Sequence, residues 1–168
     1  MNSQLMLAIL LYFAVFPNFA SGGELKPLRP SDIVVIRGKT TSGSAGCPAG
    51  AFKFDVEVLP DGSERNIPLD RSYVVPDGAS PEAPRALVIT DFEYHFIPTN
   101  GVVRATILAN GNTILASTGR DISAHHVGSE HLTQGPVVQS GVALCVRPGT
   151  SIQDNGLYTL QGFLTAYR

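Results

Sequence analysis

Residues 86–97 read ALVITDFEYHFI, and how this stretch is read decides the fold. Val88, Thr90, Phe92, Tyr94 and Phe96 fall in phase at a period of two, with Asp91, Glu93 and His95 between them. That period marks a strand with one buried face, because successive side chains leave a strand on opposite sides. The opening ALVI is almost continuously apolar, which places the strand inside a sheet rather than at its rim. Pro98-Thr99-Asn100-Gly101 reads as a turn into residues 102–108 (VVRATIL), and Ala109-Asn110-Gly111-Asn112 as a turn into 113–116 (TILA). Asn-Gly between alternating apolar runs is the strongest short-range hairpin signal. The three runs are therefore expected to form an antiparallel meander.

The same period recurs outward from this centre. Residues 51–59 (AFKFDVEVL) alternate strictly, with Phe52, Phe54, Val56 and Val58 on one face and Lys53, Asp55 and Glu57 on the other. Pro60-Asp61-Gly62 then supplies turn residues. Further strands are expected at 136–138, at 141–146 (GVALCV) and, after the Pro148-Gly149 turn, at 157–167 (LYTLQGFLTAY). Gly162 inside the last of these signals a bulge or the close approach of another backbone. Residues 38–50 form a small, flexible loop, and 60–84, with five prolines, an excursion holding two short strands. No window carries a helical period. The pattern predicts an all-β chain: an antiparallel β-sandwich of jelly-roll type with about eight strands. An immunoglobulin-type sandwich is the competitor, but its Cys…Trp…Cys hallmark is missing a tryptophan here.

The tail, Ser140-Gly141-Val142…Leu144…Pro148-Gly149…Gly162-Phe163-Leu164, resembles the final two strands of tumour-necrosis-factor-like and complement-globular-head domains. The match is confined to this tail. It implies a jelly roll and, by the packing of those elements in that family, a homo-oligomer.

At the N-terminus, residues 5–16 (LMLAILLYFAVF) are an unbroken apolar run, too short for the roughly 20 residues that span a bilayer. With Ala20-Ser21-Gly22 behind it, the run fits a secretory signal peptide over residues 1–22, an uncleaved anchor being the alternative. Residues 23–168 then form one domain, secreted or periplasmic, with no membrane contact after cleavage. The 12 basic and 14 acidic residues give a net charge of −2, and the cations are scattered singly, so no nucleic-acid partner is expected. Cys47 and Cys145 form a disulfide or remain two buried thiols. The oxidising side of a membrane favours the bridge, which would close a loop of roughly 100 residues.

Three of the four histidines lie in Ser123-Ala124-His125-His126-Val127-Gly128-Ser129-Glu130-His131. Gly119, five residues, His125, His126, three residues and Glu130 resemble the first cupin motif, which implies a divalent metal and a metal-dependent enzyme. The cupin spacing is His-x-His, however, and neighbouring residues of a strand face opposite ways. A loop that gathers His126, Glu130 and His131 is the remaining metal set, weighed against a plain solvated loop. No cofactor is otherwise expected. No Gly-x-Ser-x-Gly elbow occurs and Cys145 sits in an apolar strand, so no catalytic residue is assigned.

Asp91, Glu93 and His95, with Arg104 across the expected hairpin, make a polar sheet face that either binds a ligand or simply meets solvent. The reading that results is an exported, non-enzymatic β-sandwich that binds a glycan or a protein. A sugar-stacking surface would draw on Tyr73, Tyr94, Tyr158 or Tyr167. The alternatives are a cupin-like metal enzyme and a self-assembling structural protein.

Overall fold

The computed structural model describes residues 29–78, 84–98, 102–120, 127–149 and 152–166. The expected leader at residues 1–22, His125, His126 and Tyr167 fall outside these. A short 3₁₀ turn (Pro30–Asp32) leads into β1 (Ile33–Lys39), β2 (Phe52–Lys53), β3 (Val56–Val58) and β4 (Glu64–Asn66). Then follow β5 (Arg85–Pro98), β6 (Val102–Ala109), β7 (Asn112–Arg120), β8 (Val127–His131) and β9 (Val137–Gln139). β10 (Leu144–Pro148) and β11 (Ile152–Ala166) complete the described chain. All pairings are antiparallel. One sheet, A, runs β4-β3-β1-β11-β5-β8, with β9 also on β5; the other, B, runs β2-β10-β6-β7. The result is an all-β sandwich with eleven described strands rather than about eight, the surplus being short ones.

β1 is a central strand that the sequence reading left out. Its apolar run Ile33-Val34-Val35-Ile36 pairs with β11 on one side and β3 on the other. The expected meander is also corrected. The β6–β7 hairpin is present, with Asn110 and Gly111 at φ of 45° and 84° as its turn requires. β5, however, lies in sheet A and β6 in sheet B. Pro98 ends β5, and the apolar row Val103, Ala105 and Ile107 packs across the core from Phe92, Tyr94 and Phe96 instead of lying beside it.

Two local phases differ from the alternation as read. In β5 the register jumps from Gln161↔Asp91 to Gly162↔Ile89, so Thr90 is an extra, bulged residue. Leu87 and Ile89 therefore face the core before the bulge and Phe92, Tyr94 and Phe96 after it, while Val88 turns outward. Gly162 sits at this bulge, where a Cβ would stand 2.3 Å from the Val88 carbonyl oxygen.

Residues 51–59 do not form one strand. The chain crosses from sheet B to sheet A between Lys53 and Val56, with the Asp55 N–H donating to the Arg37 carbonyl on the way. Phe54 enters the core, and Lys53 is only 1% exposed. Its ammonium donates to the Pro68 and Leu69 carbonyls at 3.3 Å each. A lysine can be buried only with such acceptors, and here it ties the 67–71 turn to β2.

One rank crosses the inner face of sheet A: Gly38, Tyr158, Tyr94 and Gly128 lie side by side on β1, β11, β5 and β8. Each ring lies over the neighbouring glycine. A Cβ at Gly38 would be 2.3 Å from the Tyr158 ring, and one at Gly128 would be 2.1 Å from that of Tyr94. The hydroxyls then reach sheet B at its two edges. Tyr158 donates to the Lys53 carbonyl on β2 at 2.6 Å, and Tyr94 bonds Ser117 on β7 at 3.0 Å. Phe54, Phe92 and Phe96 pack around the two rings at centroid distances of 5.3–6.2 Å.

Cys47 and Cys145 are bonded, with Cα atoms 5.9 Å apart. Cys145 sits between the core residues Leu144 and Val146 and so faces away from the core. There, Ala51, Leu108 and Cys145 form a second small cluster under the loop that carries Cys47. The disulfide holds that loop flat against the outside of sheet B.

Candidate functional site

Sheet A carries the richer outer face. Where the bulge has reset the phase, alternate residues of each strand point away from the core. These are Arg37 and Lys39 on β1, Leu157 and Thr159 on β11, and Asp91, Glu93 and His95 on β5. The pairings Arg37↔Thr159↔Glu93 and Lys39↔Leu157↔His95 set them in two ranks. Cations thus occupy one flank of β11 and carboxylates the other. Leu157, half exposed at 50%, stands between. Two hollows adjoin this ridge and share Leu157 and Thr159. One of about 420 Å³ runs toward Arg37, Lys39 and Glu64, and one of about 190 Å³ toward Glu93 and His95. Arg37 pairs with Glu64 at 3.3 Å across the exposed edge of the first.

Asp91, Glu93 and His95 therefore do share a face, as their spacing predicts. Arg104 does not join them. It lies on β6 in sheet B, exposed between the core residues Val103 and Ala105, on the far side of the sandwich. The hairpin expected to place it beside β5 is instead a crossing between sheets. The residues the sequence reading missed are Arg37, Lys39 and Leu157. The alternation of Arg37 and Lys39 about Gly38 was their signal, hidden because β1 was not read as a strand.

The histidine segment divides in two. Residues 127–131 form β8, beside β5 at the sheet margin. His131 points outward and its Nδ1 meets Asp91 Oδ1 at 2.5 Å. Burial pushes the Asp91 carboxyl up, but hydrogen bonds from His131 and Thr90 and the charge of His131 outweigh it and leave the group below the usual carboxylate value. Glu130 points inward, where its Oε1 accepts from Ser117 Oγ at 2.7 Å. Since Ser117 has one proton to give, Tyr94 must donate to Ser117, which makes a directed chain Tyr94→Ser117→Glu130. Burial raises the Tyr94 phenol above its ordinary value. Ser117 is 3% exposed, so this chain locks β5, β7 and β8 together and offers no nucleophile to solvent.

Of the expected metal set, Glu130 and His131 sit on opposite faces of β8 and do not converge, and His126 lies outside the described residues. Among the described residues, no three His, Cys, Asp or Glu side chains are grouped to hold a metal.

Three of the four tyrosines named for sugar stacking are buried. Tyr73, Tyr94 and Tyr158 are 5%, 2% and 2% exposed, and Tyr167 lies outside the described residues. Tyr73 lines a hollow of about 490 Å³ between the β3–β4 hairpin and residues 71–77. Its hydroxyl is sealed from solvent with no hydrogen-bond partner among the described residues, and burial together with the charge of Glu57 pushes the phenol far up. No known family model and no curated protein matches the sequence.

Proposed function

We propose that the chain is exported and acts as a non-enzymatic binding module, a β-sandwich of jelly-roll type that takes a protein ligand on the outer face of sheet A. The observation that carries this reading is Leu157, half exposed between two hollows with Arg37 and Lys39 on one flank and Asp91 and Glu93 on the other. An apolar centre within a charged rim is the usual anatomy of a protein-binding patch. A glycan ligand is less well supported, because sugar stacking needs exposed rings and the described candidates are buried.

Export is supported by the apolar run at residues 5–16 and by the Cys47–Cys145 bridge, which belongs in an oxidising compartment. No described helix is long and apolar enough to cross a membrane. The jelly-roll reading is supported by the way β1, β5, β8 and β11 fall to one sheet and β2, β6, β7 and β10 to the other. The metal-enzyme reading draws no support from the positions of Glu130 and His131.

The test is affinity capture from the extracellular or periplasmic fraction of the source cells, with the wild-type chain and Leu157→Asp as parallel baits. A protein retained by the first and lost by the second is expected. Equal retention by both baits, or retention only of a glycan on an array, would overturn the reading.

A further inference from the structure

One rank on the outer face of sheet A is complementary in charge to itself. Arg37, Thr159 and Glu93 form one rank across β1, β11 and β5, and Lys39, Leu157 and His95 form the next. A two-fold axis lying in the interface along β11 exchanges the two flanks. It sets Arg37 of each copy over Glu93 of the other at the same height, and Leu157 over Leu157. We infer that the partner this face binds is a second copy of the chain, in a face-to-face dimer closed by two reciprocal Arg37–Glu93 pairs on either side of Thr159, with a Leu157–Leu157 contact one rank away. This rests on the protein-binding reading above and names the partner.

The dimensions agree. Sheets packed face to face stand about 10 Å apart, a gap that an arginine and a glutamate pointing at each other span. Aligned sheets cross at about 30°, and β1 and β5 each lie about 4.8 Å from the axis, so with the strands crossing at Thr159 the twist displaces the paired charges by about 2.5 Å and the two Leu157 side chains by about 3.4 Å. Seven residues each of β1, β11 and β5, five of β8 and three of β3, at about 4.8 Å by 3.3 Å per residue, give a flat area of about 460 Å². Side-chain relief raises this toward the roughly 800 Å² per partner of a standard interface. An isologous contact of this kind closes on itself and does not propagate into fibres.

Within one copy, Thr159 stands between Arg37 and Glu93, and the Arg37 guanidinium turns the other way to Glu64, an exposed pair at side-chain exposures of 52% and 56%. Such pairs are weak, so Arg37 is available to a partner. A charge swap read out as dimer affinity therefore reports on pairing between copies.

The experiment is sedimentation equilibrium of the exported chain from 1 µM to 0.5 mM, in a Glu64→Gln background so that the intrachain neighbour of Arg37 does not interfere. A dimer is expected, weakened at least tenfold by Arg37→Glu or Glu93→Arg alone. The double variant R37E/E93R is expected to return within about threefold of its parent. Far-ultraviolet circular dichroism checks that each variant is folded. A monomer over the whole range, a stoichiometry other than two, or a double variant no better than the singles would overturn the inference. Should that occur while Leu157→Asp still abolishes capture of a foreign protein, the binding face stands and only its partner is wrong.

Discussion

Alanine at position 38 tests the rank of tyrosines directly. Gly38 lies beside Tyr158, and a Cβ there would stand 2.3 Å from Cε2, 2.5 Å from Cζ and 2.6 Å from Oη. Favourable carbon contacts begin near 3.5 Å, so the ring must retreat by about 1 Å. Its hydroxyl is held to the Lys53 carbonyl at 2.6 Å and its edge to Phe54 at 5.3 Å between centroids, so retreat breaks the first contact and strains the second. A buried carbonyl left without a donor costs about 1–3 kcal/mol, and overpacking adds about 1–3 kcal/mol. The smaller unfolded-state entropy of alanine offsets up to about 1 kcal/mol. The net expectation is a loss of about 2–4 kcal/mol. In a Tyr158→Val background the added methyl meets no ring, and Gly38→Ala should be neutral or mildly stabilising. Urea unfolding of the four proteins, followed by circular dichroism, gives the cycle. At a slope of about 2 kcal/mol/M, the midpoint of the single variant should fall by about 1–2 M, with a coupling of at least about 2 kcal/mol. If Gly38→Ala shifts stability by less than about 0.5 kcal/mol, or if the two changes simply add, the ring does not cover this glycine and the reasoning fails.

Three further outcomes are expected. Replacing both Cys47 and Cys145 by alanine opens a loop set by their separation of 98 residues, worth about 4.7 kcal/mol on the chain-entropy account; a midpoint shift under about 0.5 M urea would refute it. Burial raises the phenols of Tyr73, Tyr94 and Tyr158 above the ordinary 10.0. A raised folded value means that their contribution is fully present below about pH 10 and is lost as pH climbs beyond it. The tyrosinate signal at 295 nm from these three should therefore appear only together with loss of near-ultraviolet dichroism, and a smooth titration near pH 10 with the fold intact would contradict the assignment. Lys53→Met leaves the Pro68 and Leu69 carbonyls without their donor, so about 1–3 kcal/mol should be lost and trypsin should cleave faster after Arg71. Unchanged cleavage would show that the lysine does not hold the turn.

The parts of this fold legible in the sequence were those governed by nearest neighbours. The Asn110-Gly111 hairpin, the irregularity at Gly162 and the common face of Asp91, Glu93 and His95 all follow from local period and turn chemistry. Sheet membership is not local. Nothing in Pro98-Thr99-Asn100-Gly101 distinguishes a hairpin from a crossing to the opposite sheet, and Arg104 was misplaced for that reason. The Thr90 bulge inserts one residue and reverses the phase upstream, which is why Val88 reads as sharing the inner face of Phe92 and instead lies buried on the other side of the sheet. Lys53 reads as solvent-facing because the carbonyls that accept from it, Pro68 and Leu69, come from a turn about fifteen residues on. β1 was overlooked because its four apolar residues run straight into a flexible glycine-rich loop.

Because the two phenol groups terminate on opposite borders of the smaller sheet, they act as corner posts of fixed height, with the hydrocarbon filling laid between them. Changes to Ile107, Val146 or Leu160 can then be absorbed sideways while the spacing of the layers holds. The spacing of the two layers is thus set at the margins of this protein rather than at its apolar middle.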